Sequence, residues 1–250
     1  VHGTGLASAD EKAVMISVLI VAGGNAVVSA EAVRTLKRHA NREYQLVFVD
    51  NGSDKEEGLG TAVTSLLLPK DIFIRNDTQR SFAAANNQAC ALAVGEHLLL
   101  LNNDTVTEGD WQTPLLTEGV KYAVSGPMIR QLAVSDKDKA MVCHRINGEE
   151  VDSDPKVAGS YVMGWCLFTR KDYYQKLGGL DEVFWPMYCE DSDFCLRSVV
   201  EGGKLGKVQV PIRHLGGEDT KKYMDGNFRQ HIGMANNYKM YARWVKGAIL

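Results

Sequence analysis

Several groups of polar residues in this chain stand where chemistry is done, at the ends of apolar runs or ahead of glycine pairs. Asn102-Asn103-Asp104 follows four consecutive leucines, Leu98 to Leu101. A carboxylate at the end of a buried strand is a hard oxygen ligand on a rigid post. It suits Mg2+ or Mn2+ bridged to a diphosphate, whose oxygens fill the rest of the shell. His214 sits in Ile212-Arg213-His214-Leu215-Gly216-Gly217, just past a late predicted strand. A lone histidine is more often structural, but this placement matches that of Asp104, and neutral imidazole is a good borderline metal ligand. Glu190-Asp191-Ser192-Asp193 follows the aromatic stretch Phe184 to Tyr188 and opens a helix. Helix capping accounts for one or two of these acids, and Asp193 fits that role. Two adjacent carboxylates also suit a general base that takes a proton from a hydroxyl. Asp50 closes a further apolar run and leads into Asn51-Gly52-Ser53. Turn chemistry explains any one such crest; Asp50 and Asp104 together point to function.

The elements that must position these residues alternate. Met15 to Ala22 is a near-continuous apolar run, as in a parallel strand buried on both faces. It leads into Gly23-Gly24-Asn25 and a helix capped by Ser29, with Val33, Leu36 and Ala40 at helical spacing. Leu46 to Val49 is a second strand. Ser53-Asp54-Lys55-Glu56 reads as a capping box for a helix that ends at Pro69. Ile72 to Ile74 is a third strand, Phe82 to Val94 an Ala-rich helix closed by Gly95, and Leu98 to Leu101 a fourth strand. That alternation predicts an α/β fold with a parallel sheet covered on both faces, and ligands beyond the carboxyl ends of its strands. Further on, Gln131 to Val157 reads as loop or hairpin and Ser160 to Thr169 as one strand. Helices are expected from Lys171 to Leu177 and Asp191 to Val200, with a strand at Lys207 to Val210.

Composition narrows the class. The 250 residues are 45% hydrophobic and 24% charged, so the chain is globular. A net charge of −3 argues against a nucleic-acid binder. No apolar run reaches the length of a membrane span. Five cysteines without CxxC spacing argue against a disulfide scaffold or zinc cluster and for a reducing, cytoplasmic setting. Residues 1–13 read as a disordered lead-in or the scar of a longer chain, and 14–250 as one domain. Gly23-Gly24 lacks the GxGxxG spacing, which leaves a dehydrogenase a minor alternative.

Taken in order, Val47 to Ser53, Phe82 to Gln88, Leu99 to Asp104, Gly164-Trp165-Cys166, Gly178 to Glu182, Glu190 to Arg197 and His214 to Gly217 resemble the family 2 glycosyltransferases. The likeness runs from about Ile16 to about Tyr241. It implies the GT-A fold, a Rossmann-like, mostly parallel sheet, and a nucleotide-diphosphate sugar donor. By this resemblance Asp50 contacts the donor base or ribose, and the loop with Ala22, Gly23 and Asn25 lines that pocket. Asn102, Asn103 and Asp104 stand at the family's DxD motif, with Asp104 the metal acid and Asn102 and Asn103 at the donor. His214 matches a metal-coordinating histidine. Asp191 matches the general base, with Glu190 its neighbour. Gly164 and Trp165 fall at a sugar pocket. The usual glycines of the Phe-Ala-Ala stretch are Ser81 and Ala89, and Arg80 can instead reach the diphosphate.

The implied reaction is metal-dependent transfer of a sugar, with inversion, to a hydroxyl of a glycan or lipid-linked acceptor in polysaccharide synthesis. Ser81, Ala89 and Asn102 keep open a degenerate module that binds without turnover; a nucleotidyltransferase is a third reading. Gly216 to Asn227 reads as a lid or a plain surface loop. Tyr238 to Lys246 mixes aromatics and cations. It reads as a helix packed on the core, or as one touching the inner face of a membrane.

Overall fold

The structure, a computed structural model, describes residues 14–135, 140–144, 156–216 and 226–247. The expectations for residues 1–13 and for most of the Gly216 to Asn227 segment lie outside those residues.

The apolar runs do become parallel strands. β1 (Ile16–Ala22) and β2 (Tyr44–Asp50) are buried along their whole length. β3 (Ile72–Arg75) pairs with β2, and β4 (His97–Asn102) pairs with β1, all in parallel. On the other side of β4 lies β10 (Cys166–Arg170), antiparallel, followed by β6 (Val124–Gly126) and β11 (Leu205–Lys207). The sheet is therefore seven-stranded, in the order β11-β6-β10-β4-β1-β2-β3. Side chains alternate along each strand, so the sheet has two cores. Leu19, Val47 and Leu100 pack under α3 (Phe82–Leu92) and α6 (Glu190–Val200). Ile20, Phe48 and Leu101 pack on the opposite face under α1 (Ala26–Arg38) and Trp111.

Local chemistry differs from expectation in several places. Asn25, not Ser29, caps α1: its Oδ1 accepts from the Val28 amide, while Ser29 is buried inside the helix and bonds back to the Gly24 carbonyl. Asp54 caps a single 3-10 turn, Lys55–Glu57, and Gly58 in left-handed conformation separates it from α2 (Leu59–Thr64). The expected capping box is thus a two-step turn. The strand expected from Ser160 to Thr169 is two strands, β9 (Lys156–Val162) and β10, broken at Met163-Gly164-Trp165. β9 joins β7 (Ile129–Ser135) and β8 (Ala140–His144) in a separate antiparallel sheet. The late strand expected at Lys207 to Val210 does not form: β11 ends at Lys207, residues 208–211 are irregular, and β12 (Ile212–His214) begins after them. β12 pairs with β5 (Thr105–Thr107), directly after Asp104. Two short helices, α4 (Gln112–Thr117) and α5 (Lys171–Lys176), complete the middle of the chain.

The last helix, α7 (Gly226–Trp244), packs on the core through Ile232, Met240 and Tyr241, the first of its two readings. No helix among the described residues is long and apolar enough to cross a membrane. α7 is tied to α6 by a buried carboxylate. Asp193, fully buried, accepts from Arg197 Nε at 2.8 Å, Arg243 Nη1 at 2.9 Å and Trp244 Nε1 at 2.9 Å. Its carboxylate is spent on this network rather than on capping α6. Arg243 also pairs with Asp181 at 2.8 Å.

Breaking a buried ion pair strands the surviving charges and costs roughly 3–5 kcal/mol. Asp193→Ala is expected to lose about that much in urea unfolding; a loss under about 1 kcal/mol, the ceiling for exposed pairs, would show that Asp193 does not hold α7 down.

Candidate active site

The carboxyl ends of β1, β2 and β4 open into one cleft with a cavity of about 780 Å³. Its first wall is the turn after β2. Asn51 Oδ1 accepts from the Asn76 side chain and the Arg80 amide, and Asn51 Nδ2 donates to the Arg80 carbonyl at 2.9 Å. This clamp brings Gln79 and Arg80 to the cleft. Gly52 has φ +79 and lies so close to Gln79 that a Cβ would come within 2.6 Å of its amide nitrogen. Asp50 itself is fully buried. Ser53 N–H donates to its Oδ1, and Arg75 holds its Oδ2. Asp50 therefore braces the turn and does not line the cleft, and neither do Ala22 and Asn25. Gly23, Arg80, Asn102 and Asn103 do. Asn103 Nδ2 donates to Ser29 Oγ at 2.9 Å, tying the end of β4 to α1.

At the centre stand Asp104 and His214. The β5/β12 pairing sets His214 opposite Thr105, and the Leu215 amide donates to the Asp104 carbonyl at 2.8 Å. The side chains meet with His214 Nε2 at 3.0 Å from Asp104 Oδ1. Asn102 Nδ2 is 3.5 Å from the same imidazole nitrogen. Asn102 Oδ1 is buried without a hydrogen-bond partner among the described residues. One carboxylate, one imidazole and an orphaned amide oxygen facing a cleft fit a hard divalent cation whose shell is completed by phosphate oxygens. No group of three or more His, Cys, Asp or Glu side chains among the described residues could hold a metal ion. Such a cation would therefore depend on its ligand as much as on the protein.

Trp165, expected in a sugar pocket, turns its face to His214. The rings stack 5.0 Å apart at an interplanar angle of 1°, and Trp165 is only 7% exposed. It lines the cleft while fixing the plane of the imidazole.

The far end of the cleft holds the acidic pair. Tyr188 and Cys189 both have left-handed backbone, φ 76 and 77, immediately before α6. Each such residue costs on the order of 1–3 kcal/mol. The side chain of Asn236 on α7 holds this loop by donating to the carbonyls of Met187 at 2.7 Å and Tyr188 at 3.2 Å. Asp191 Oδ2 accepts from the Gly164 amide at 2.8 Å, and its Oδ1 accepts from the Ser192 amide at 2.7 Å and Ser192 Oγ at 3.2 Å. A Cβ on Gly164 would sit 3.1 Å from the Asp191 side chain. Burial pushes both carboxyls above the ordinary range, and the charge of Asp191 raises Glu190 further. Hydrogen bonds from three donors favour ionised Asp191, whereas Glu190 Oε2 has no hydrogen-bond partner among the described residues. Glu190 is raised the further of the two, so it takes up a proton first and Asp191 is the member better kept as a carboxylate.

Ten of the thirteen expected site residues line this cleft: Gly23, Arg80, Asn102, Asn103, Asp104, Gly164, Trp165, Glu190, Asp191 and His214. Asp54, Glu57, Gln79, Tyr188 and Arg229 also line it without having been expected there. Asp54 sat inside the presumed capping box and Glu57 directly after it, where acids have an ordinary explanation. Arg229 carries no local motif.

The model of Glycosyl transferase family 2 matches residues 17–178. The chain is 28% identical over 208 residues to WcaA of Escherichia coli (strain K12), whose name places it as a glycosyl transferase of colanic acid biosynthesis. The match covers 78% of this chain and 70% of WcaA. Among solved structures, GalNAc-T7 with UDP, GalNAc and Mn2+ aligns with a TM-score of 0.68 at 16% identity, over 94% of this chain and 48% of its own. The mannosyltransferase PcManGT of Pyrobaculum calidifontis, with GDP-Man and Mn2+, aligns at 0.54 with 14% identity, over 76% and 53%. The chain thus spans about half the length of these two structural relatives, and at such identity they show the shared fold alone. With that sheet order and a family match over residues 17–178, the chain belongs to glycosyl transferase family 2.

Proposed function

We propose that this chain transfers a sugar from a nucleotide-diphosphate donor to a hydroxyl of a glycan acceptor, with inversion, in polysaccharide synthesis. The observation that carries the reading is the convergence of Asp104, His214 and Asp191 on one cleft at the carboxyl ends of the strands. The donor nucleotide lies against Gly23, Asn51, Gly52 and Arg80. Asp104 and His214 are placed to hold Mn2+ or Mg2+, which when bound would neutralise charge on the departing diphosphate. The Mn2+ in two structural relatives supports that choice.

Asp191 takes the acceptor hydroxyl proton as that oxygen bonds to the anomeric carbon. The bond from that carbon to the diphosphate oxygen breaks, and its electron pair leaves with the nucleoside diphosphate. One displacement from the face opposite the leaving group inverts the centre, and no covalent enzyme intermediate is needed. Gly164 and Ser192 aim the base. Glu190, raised the further of the two carboxyls, takes up a proton before Asp191 does.

Asp191→Asn is expected to keep nucleotide binding by calorimetry and to lose transfer by about 10²–10⁴-fold. Glu190→Gln, isosteric with the neutral acid, should lose far less. Equal losses in the two variants would remove Asp191 from the base role. Wild-type binding of UDP or GDP without transfer from any of a panel of nucleotide sugars would instead leave a binding module.

The sign of the pH dependence follows from the raised carboxyls. The base must be ionised, so kcat/KM should fall with decreasing pH at a point above the ordinary carboxylate range. An acid limb at or below that range contradicts the buried pair as the titrating unit.

His214→Ala should weaken Mn2+ binding in the presence of nucleoside diphosphate, read by electron paramagnetic resonance of free Mn2+. An unchanged titration would exclude His214 as a ligand.

A further inference from the structure

We propose that Arg229 recognises a negatively charged group on the acceptor, so that this chain acts on an acidic glycan carrying a carboxylate or phosphate. The inference rests on the functional reading above and assigns it a substrate class.

Arg229 lies in the first turn of α7, seven residues before Asn236. Seven residues are close to two turns, so the two share a helix face about 10 Å apart along the axis. Asn236 grips the carbonyls of Met187 and Tyr188. Arg229 is thereby carried over the same loop, at the end of the cleft that holds Glu190 and Asp191, and it lines that cleft.

Two full cations line the cleft among the described residues, Arg80 and Arg229. Arg80 is fastened through its backbone to Asn51 at the nucleotide wall. Arg229 stands at the opposite end. Its Nε is buried and has no hydrogen-bond partner among the described residues. A buried donor left unpaired costs about 1–3 kcal/mol, and more on a charged group. The guanidinium is planar and always charged, and its fork matches the paired oxygens of a carboxylate or phosphate. The hydroxyls of a neutral sugar can accept from the fork but bring no counter-charge to it. The acceptor hydroxyl must lie against Asp191, so the group beside it on the acceptor is the one Arg229 can reach.

The test uses the whole chain with Mn2+. Calorimetry with UDP and GDP first identifies the nucleotide that binds, which reads the functional proposal on its own. With that nucleotide saturating, methyl β-glucuronide, glucose 6-phosphate and methyl β-glucoside are titrated by saturation-transfer NMR. At least one acidic sugar should bind about 10-fold more tightly than the neutral glucoside, as expected for a hydrogen bond to a charged group. The carboxylate and phosphate arms show which anion is taken. Arg229→Met should abolish the preference, Arg229→Lys should restore part of it, and both should bind the nucleotide within twofold of wild type, showing that the fold is intact. No acidic preference in wild type overturns the inference. So does weakened UDP or GDP binding in Arg229→Met, which would place Arg229 on the donor diphosphate. Failure of wild type to bind either nucleotide instead defeats the functional reading itself.

Discussion

The pairing of two three-residue strands, β5 and β12, decides where the centre of this molecule lies. Asp104 and His214 are far apart in the chain, and neither belongs to the other's local structure. Antiparallel hydrogen bonds between Thr105–Thr107 and Ile212–His214 remove that separation and set the imidazole 3.0 Å from the carboxylate. The entropy of closing so long an intervening loop grows only slowly with length. A short ribbon suffices because β5 follows directly on β4, a central strand of the sheet that is buried from His97 to Leu101. The seven-stranded sheet thus acts as a base plate, and the ribbon fixes the Asp104–His214 pair upon it.

The acidic end is built differently. Its backbone is held in an unfavourable conformation at Tyr188 and Cys189, and that conformation survives because α7 is fastened on both sides of it. Asn236 bonds the loop carbonyls, while Asp193 binds Arg243 and Trp244 further along α7. The same helix therefore keeps the strained turn in place and carries Arg229 to the cleft. A buried carboxylate with three donors is expensive to desolvate, and here it anchors an element that a small apolar contact alone would leave loose.

Strands were legible wherever burial on both faces produced an unbroken apolar run. Ile16–Ala22, Tyr44–Asp50 and His97–Asn102 follow directly from that pattern. The breaks were not legible. Ser160 to Thr169 is apolar and β-rich throughout, and only tertiary structure forces the turn at Met163-Gly164-Trp165 that splits it. Val208 and Val210 are apolar for the same reason as strand residues, because they are buried, yet their backbone leaves the sheet so that β12 can start. Within the site, Asp104, Asp191 and His214 announced themselves as polar residues at element ends. Asp50 was read by the same rule and turned inward, since Arg75, a residue on the adjacent strand, neutralises it. Arg229 could not be found from spacing, because the residue whose field it reaches, Tyr188, lies some forty residues earlier in the chain.

Gly164 and Trp165 are consecutive, yet they serve opposite ends of the cleft. The amide of Gly164 binds Asp191, the indole of Trp165 stacks on His214, and the Trp165 carbonyl accepts from the Asn102 amide. The placement of Asp191 relative to the Asp104–His214 pair is therefore tied to a ruler one peptide long, with a hydrogen bond at one end and a ring stack at the other. A residue exchanged at either position would therefore be felt at both ends of the cleft, whereas Met187, Tyr188 and Arg229 line it without that link.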